Sequence, residues 1–347
     1  SPAANDWVVN HQAMTGYAKA NFPGTALTNN GFTINSQPVG NGSNITVTAS
    51  GGSTDTNALR AATIICTNFT GAGIQTALNT LTNGGELYLP AGLYACNSNS
   101  IVIPTSNIVI RGTGWGTILN TYGGQTNHFI RMNGHPKTVI RDLQMIGNKT
   151  GSTAYNMIDG RADTEIDITI EHVFINGSDN TGIYEDATVV ANWQIRNCRI
   201  INCASYGIQH YGSADVSDCV FSGHVNGSIY LYYTASMARN NYITGGAHGI
   251  YINADSAIVS DNFITATTTD GIIITAPDSI ITGNILFGNT GDGIIIDTGG
   301  YATISGNTVR RSGNNKSDIY INACSYVTIV GNTLYSQAGY SEQGVKL

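Results

Sequence analysis

The apolar residues of this chain come in short bursts, and from about position 170 the bursts repeat. "NNYITGGAHGIYINADS", "DNFITATTTDGIIITAPDS" and "GNTGDGIIIDTGG" share one frame. An Asn is followed by a short apolar strand, a small-residue turn, then Gly-Ile-x-Ile and another turn. Anchored on the Asn, the frame recurs at Asn241, Asn262, Asn284, Asn307 and Asn332, and Cys219, Cys198 and Val173 hold the same slot upstream; neighbours are 21 to 25 residues apart. The second strand keeps step at Ile183, Ile208, Ile229, Ile250, Ile272, Ile294, Ile319 and Val345. A fixed period in this range marks a solenoid. The pieces are β-branched and bounded by Gly, Asn, Asp and Ser, so they are strands joined by turns, and none has helical spacing. The pattern predicts an all-β solenoid with an inward Asn ladder.

The period also decides how to read "GDG" at 291–293. A phosphate loop needs a helix N-terminus, and no helix follows Gly293. Calcium-binding solenoids repeat a Gly-Asp unit at about half this interval, so Asp292 and Asp297 are weak calcium candidates. No metal and no cofactor is expected.

Upstream the pattern changes. Residues 1–70 show no repeat, and 40–56, "GNGSNITVTASGGSTDT", read as a linker or loose hairpin. Ile74, Leu78 and Leu81 share one face of a short helix ended by Gly84-Gly85. Strands follow in "ELYLP" and "SIVIPTSNIVIRGTGWGTIL", and regular coils run from about Thr138. The expected division is a non-repeat segment at 1–70 and a solenoid at 71–347.

"GIQTALNTLTNGGELYLPAGLY" followed by "IVIPTSNIVIRGTGWGTIL" resembles the start of the pectate-lyase-like, single-stranded right-handed parallel β-helix superfamily, closest to its phage tailspike and polysaccharide depolymerase branch. The resemblance covers about residues 70 to 347. It implies that the helix caps the first coil and that "RGTGWGT" is a coil turn. It implies a polysaccharide or cell-surface glycan as partner, an extracellular or virion-surface location, and a homotrimer. The superfamily holds lyases, hydrolases, epimerases and inactive binding proteins, so fold alone does not name the activity. The paired-aspartate and "RIK" motifs of polygalacturonase-type sites are absent, and "AHGI" at His248-Gly249 is the one faint likeness to them.

Composition narrows the partners. The net charge is -7 with 15 Lys and Arg, and no basic run exceeds Arg310-Arg311, which disfavours nucleic acid and anionic membranes. No apolar stretch is long enough to span a bilayer, so no membrane insertion is expected. The six cysteines follow no zinc spacing. Cys198 and Cys219, one coil apart, are either a disulfide across stacked coils or buried thiols in a ladder.

Alternation assigns the chemistry. With the Ile series inward, Tyr184, Gln209, Tyr230, Tyr251, Ile273, Ile295 and Tyr320 point outward, as do Asp186, Tyr211, Tyr232, Asn253, Thr275, Asp297 and Asn322 two residues on. Eight of the 18 tyrosines lie between Tyr184 and Tyr251. Such a face suits sugar stacking, with Gln209 and the carboxylates bonding hydroxyls; the alternatives are subunit packing and sheet stabilisation. Glu185 and His210 fall inward where other coils carry Leu231, Ile252 and Ile274, unless a bulge brings them to solvent. Asp159 continues their column if "NMID" aligns with "GIYE". Glu185, Asp186 and His210 are the candidate catalytic residues, flanked by Asp159, Asp163 and Glu165. Tyr184, Gln209, Tyr211, Tyr230, Tyr232, Tyr251 and Arg199, the one cation close in register, are the candidate substrate-binding residues.

Carboxylates outnumber cations in this group, which favours polysaccharide hydrolysis. The rivals are a non-catalytic adhesion or structural β-helix, and a lyase or epimerase. The chain stops at "GVKL", aligned with the second strand of a coil and uncapped. That predicts a longer parent chain, assembled as the trimer the resemblance implies.

Overall fold

The computed structural model describes the backbone of residues 27–29, 32–34 and 47–49, and residues 63–347 apart from 98, 122–124, 150–153, 162–164, 187–190, 298–299, 311 and 336–342. Most of the expected 40–56 linker and Asp163 therefore lie outside the described residues. The chain forms two compact units, Ser1–Arg60 and Ala61–Leu347. In the first, Leu27–Asn29, Phe32–Ile34 and Val47–Ala49 make a three-stranded antiparallel sheet.

The second unit is a right-handed parallel β-helix. One coil consists of Ile258–Ser260, Phe263–Thr265 and Ile272–Ile274; these pair in parallel with Ser279–Thr282, Ile285–Phe287 and Ile294–Asp297 of the next coil. Three ladders thus wrap one core. The third holds eleven strands, from Ile101–Val102 to Gln343–Lys346. Its pairs run Ile183, Ile208, Ile229, Ile250, Ile272, Ile294, Ile319, Val345, the register expected from the repeat.

The Asn slot is the inner side of the corner between the first two ladders. Asn241, Asn262, Asn284 and Asn307 are buried and Asn332 is half-buried. Each Oδ1 of Asn262, Asn284 and Asn307 accepts both the backbone N–H and the side-chain amide of the Asn one coil earlier, while each Nδ2 donates to a backbone carbonyl. The residue before the slot has φ between 53° and 67° in seven coils: Asn197, Asp218, Asn240, Asp261, Gly283, Gly306 and Gly331. Asn, Asp and Gly tolerate that left-handed conformation best, which is why they recur there. Cys198 and Cys219 continue the ladder as free thiols, the Cys198 N–H donating to Cys219 Sγ at 3.3 Å; burial holds the Cys219 thiol well above its ordinary pKa.

The glycine of Gly-Ile-x-Ile is there for space. A Cβ on Gly249 would lie 2.6 Å from Ile264 Cγ2, and one on Gly293 2.4 Å from Val309 Cγ1. Side chains of the second ladder fill the room that this glycine leaves in the third. The neighbouring Asp292 is equally structural: its Oδ1 accepts the Ser317 N–H at 2.5 Å.

Helix α1 is Gly71–Leu78, capped by Thr70, whose Oγ1 accepts the Gly73 N–H at 3.0 Å. Ile74 and Leu78 are buried, and so is Leu81 in the turn beyond the helix end. Gln75 bonds both backbone groups of Val102, its Nε2 donating to the carbonyl at 2.9 Å and its Oε1 accepting the N–H at 2.6 Å. The helix so closes the first edge of the third ladder, where open strand groups would invite pairing.

Candidate functional site

The outer face of the third ladder carries a continuous group of tyrosines. Parallel pairing stacks Asp159, Tyr184, Gln209, Tyr230 and Tyr251 in one column. Tyr211 is the hub, with ring centroids 6.2 Å from Tyr184, 5.9 Å from Tyr230 and 5.3 Å from Tyr232, and its hydroxyl accepts a bond from Gln209 Nε2 at 2.9 Å. Tyr230 stacks on Tyr251 at 5.0 Å. Tyr206, which alternation alone did not select, joins Tyr230 at 5.4 Å. Tyr232 is 45% exposed and the other rings are half-buried. Each ring thus presents part of one side to solvent.

At the end nearest α1 this platform meets charge. Asp159 is buried; its Oδ1 accepts bonds from Asn156 Nδ2 at 2.6 Å and Arg161 Nε at 3.0 Å. The Arg161 guanidinium lies over the Tyr184 ring, 4.9 Å from its centroid. Arg131 stands beside Asp159 in the ladder. His128 Nδ1 accepts the Asn156 N–H at 3.0 Å, so the neutral ring carries its proton on Nε2. Burial lowers the His128 pKa and outweighs the pull of Asp159. Asp186 bears on both His128 and Tyr184, and burial first, then Asp186, pushes the Tyr184 phenol up to about 12.

Asp159 is one residue out of the expected register. Ile158 pairs with Ile183, so Asp159 meets Tyr184 and Gly160 meets Glu185. A slip of one residue exchanges the faces of a strand, and Asp159 belongs to the outer column. The space opposite Glu185 belongs to Gly160, where a Cβ would lie 2.3 Å from Glu165 Oε2 and 2.8 Å from Trp193.

Glu185 and His210 are inward and wholly buried, with no bulge carrying them to solvent. Glu185 Oε2 accepts the N–H groups of Tyr211 at 3.1 Å and Gly212 at 2.6 Å, and lies 3.2 Å from His210 Nδ1. That nitrogen also donates to the Gly212 carbonyl at 2.9 Å. Desolvation lowers the His210 pKa to about 4, against a weaker upward pull from Gly212, so the ring is neutral at physiological pH. Trp193 packs edge-on to it at 5.0 Å and donates Nε1–H to the Glu165 carbonyl at 2.7 Å. Glu165, also buried, accepts the Gly134 N–H through Oε1 at 2.8 Å.

The structure brings Tyr184, Asp186, Gln209, Tyr211, Tyr230, Tyr232 and Tyr251 onto one face and sets Glu185 and His210 behind it. Arg199 is elsewhere, on the second ladder, with its guanidinium 5.1 Å from the Phe174 ring centroid. Arg161 lies over Tyr184, and Arg131 pairs with Asp159 one rung beyond. Among the described residues, no group of three or more His, Cys, Asp or Glu side chains is arranged to hold a metal ion, and no helix is long and apolar enough to cross a membrane.

Comparisons agree with this architecture. A family model described as periplasmic copper-binding protein (NosD) matches residues 216–345, less than half of the chain. Comparison with curated protein sequences gives no match. Among solved structures, the chain is similar to the A-module of a mannuronan C-5 epimerase from Azotobacter vinelandii, at 16% identity and TM-score 0.57, covering 80% of this chain and 91% of that one. It is also similar to the tailspike protein of E. coli bacteriophage HK620 in complex with a pentasaccharide, at 16% identity and TM-score 0.60, covering 79% of this chain. The match spans 60% of the tailspike chain. These likenesses show the parallel β-helix fold.

Proposed function

We propose that the protein binds a polysaccharide lengthwise on its tyrosine face and hydrolyses it at the charged end. One observation carries the reading: the platform Tyr184–Tyr211–Tyr230–Tyr251 is continuous and runs into the carboxylates Asp159 and Asp186. Tyrosine rings stack on the apolar faces of sugars, and Gln209 and the phenols supply hydrogen bonds to hydroxyls. Asp186 lies diagonally across from Asp159, two residues beyond its ladder partner Tyr184. Hydrolysis of a glycosidic bond uses one carboxyl to protonate the leaving oxygen and another to activate a water; of this pair Asp186 is half-buried and open to a substrate, whereas Asp159 is buried and holds Arg161 in place. In this reading Asp186 acts directly on the substrate. Glu185 and His210 have no surface to offer a polymer and serve from behind the wall.

A lyase or epimerase is the second reading, favoured by Arg131 and Arg161 standing beside His128 and Tyr184. Arginines neutralise a sugar carboxylate, and the neighbouring imidazole or phenol takes the proton next to it. Both readings place the protein outside the cytoplasm, on a cell or virion surface, where its polymer is found. The trimer belongs to the same proposal, and light scattering across a wide concentration range tests it: a constant monomeric mass removes it.

The deciding experiment is a polysaccharide panel scored for binding, for new reducing ends and for unsaturated uronate ends. Hydrolysis gives reducing ends without unsaturation, and elimination gives both. Asp186→Asn is expected to keep binding and lose cleavage. Binding with neither product but a changed uronate epimer ratio by proton NMR marks an epimerase, and binding with neither product and an unchanged ratio makes the protein an adhesin. Binding to no polymer overturns the reading.

A further inference from the structure

The inner column of the third ladder is aliphatic from Leu231 through Ile252, Ile274 and Ile296 to Ile321. It turns polar in two coils only, at Glu185 and His210, and those are the coils whose outer residues build the head of the tyrosine face. On each strand the polar inner residue sits between two outer site residues: Tyr184-Glu185-Asp186 and Gln209-His210-Tyr211. The pair is held by backbone and packing on every side. Glu185 Oε2 accepts the N–H groups of Tyr211 and Gly212, His210 Nδ1 bridges to the Gly212 carbonyl, and Trp193 closes the imidazole edge-on. Aliphatic side chains pack the same position in the five following coils. The fold therefore does not call for a buried carboxylate and imidazole here, and replacing a buried polar pair by apolar groups is often neutral for stability.

We propose that Glu185 and His210 are positioning residues: together they fix the backbone turn that carries Tyr211, and so set Tyr184, Asp186, Gln209 and Tyr211 in one geometry. Physically, Glu185 pins residues 211 and 212 of the neighbouring coil to its own strand by two N–H bonds to a single oxygen. An aliphatic residue keeps the ladder bond from the Tyr211 N–H to its own carbonyl, 3.1 Å here, but removes the side-chain acceptor that holds both Tyr211 and Gly212. Tyr211, in contact with three other rings, transmits any rotation of that turn across the platform. This inference rests on the proposed function for its purpose, since a fixed platform matters to a ligand that stacks on it, but the positioning itself is measured without a ligand.

The test uses protein with 13C-labelled tyrosine rings, with the Tyr184 and Tyr211 signals assigned by Tyr184→Phe and Tyr211→Phe. The double variant Glu185→Leu/His210→Leu is expected to fold, to melt within about 5 °C of the unsubstituted protein, and to shift or broaden both signals. Glu185→Gln keeps an acceptor oxygen and is expected to leave both signals in place. For any polymer that the unsubstituted protein binds, the double variant loses affinity by about tenfold, the value of a misplaced aromatic contact. Unchanged Tyr184 and Tyr211 signals in the double variant overturn the proposal. Glu185→Met offers a second apolar replacement of similar length. If it and the double variant both fail to fold, the pair is a requirement of the fold, and the proposal is likewise overturned. Failure of the unsubstituted protein to bind any glycan removes the proposed function while the ring signals still decide the positioning.

Discussion

Asn284→Leu is the most direct test of the register on which every inside and outside assignment depends. The Asn284 side chain has no exposure. Its Oδ1 accepts the Asn262 N–H at 3.0 Å and Asn262 Nδ2 at 2.9 Å; its Nδ2 donates to the Val259 carbonyl and to Asn307 Oδ1, each at 2.9 Å. Leucine is close in size and supplies none of these bonds. The Asn262 N–H then loses its acceptor away from water, which costs about 1–3 kcal/mol. The stranded Asn262 and Asn307 side-chain groups add about 1 kcal/mol, because each keeps a partner on its other side. The expected loss is thus about 2–4 kcal/mol. Asn332→Leu makes the control: that rung is half-buried, water replaces part of what is lost, and the cost falls to about 1 kcal/mol. Urea denaturation measures both, with hydrogen exchange at the Asn262 amide as the local readout, because a solenoid need not unfold in one step. Faster exchange at Asn262 with a lower midpoint is expected. An Asn284→Leu protein as stable as the unsubstituted chain, with Asn262 still protected, refutes the ladder.

Acid is expected to weaken the fold through two buried histidines. The folded pKa of His210 is lowered to about 4 and that of His224 to about 3, both chiefly by desolvation, from an ordinary 6.5. The unfolded chain therefore binds protons first: stability is complete above about 6.5 and falls by about 1.4 kcal/mol per pH unit for each histidine as pH drops toward its folded pKa. Urea midpoints that stay flat between pH 6.5 and 4 in the native protein, or a slope unchanged in His224→Gln, contradict this. Tyr230→Ala removes the ring that links Tyr206, Tyr211 and Tyr251 and is expected to weaken glycan binding about tenfold by calorimetry without changing the fold. Gly293→Ala forces a Cβ against Val309 and the Asp318 carbonyl and is expected to cost about 1–3 kcal/mol in thermal unfolding.

The fold was legible because period and alternation are strict from Val173 onward. The Asn slot, the Ile column and the outward tyrosines all lie where a period-two strand in a coil of fixed length puts them. Legibility failed where the coil length changes. Ile130 and Ile158 are adjacent rungs 28 residues apart, longer than any step in the regular repeat, and the strand at Ile130–Arg131 has only two residues. So short a strand shows no alternation. His128 and Arg131 gave no signal there, and Asp159 was read one residue out of place. Arg161 follows its strand in a turn, where no periodicity operates. Arg199 failed for another reason: closeness in sequence register says nothing about which of three ladders a residue occupies. Tyr206 was missed because strict alternation puts a residue two before the inward Ile208 inward as well, whereas its ring meets Tyr230 on the outer face.

The left-handed corner, the Asn rung and the spacing glycine occur together in the coils anchored at Asn241, Asn262 and Asn284, and each of these coils bonds its neighbours through the same backbone ladder and the same Asn side-chain contacts. Duplicating in frame the 22 codons between Asn262 and Asn284 would add one more rung to every ladder and lengthen the outer face by about 4.8 Å without a new hydrogen-bond pattern. The length of the outer face is therefore quantised: it changes in whole coils of about 4.8 Å, never by a fraction of one.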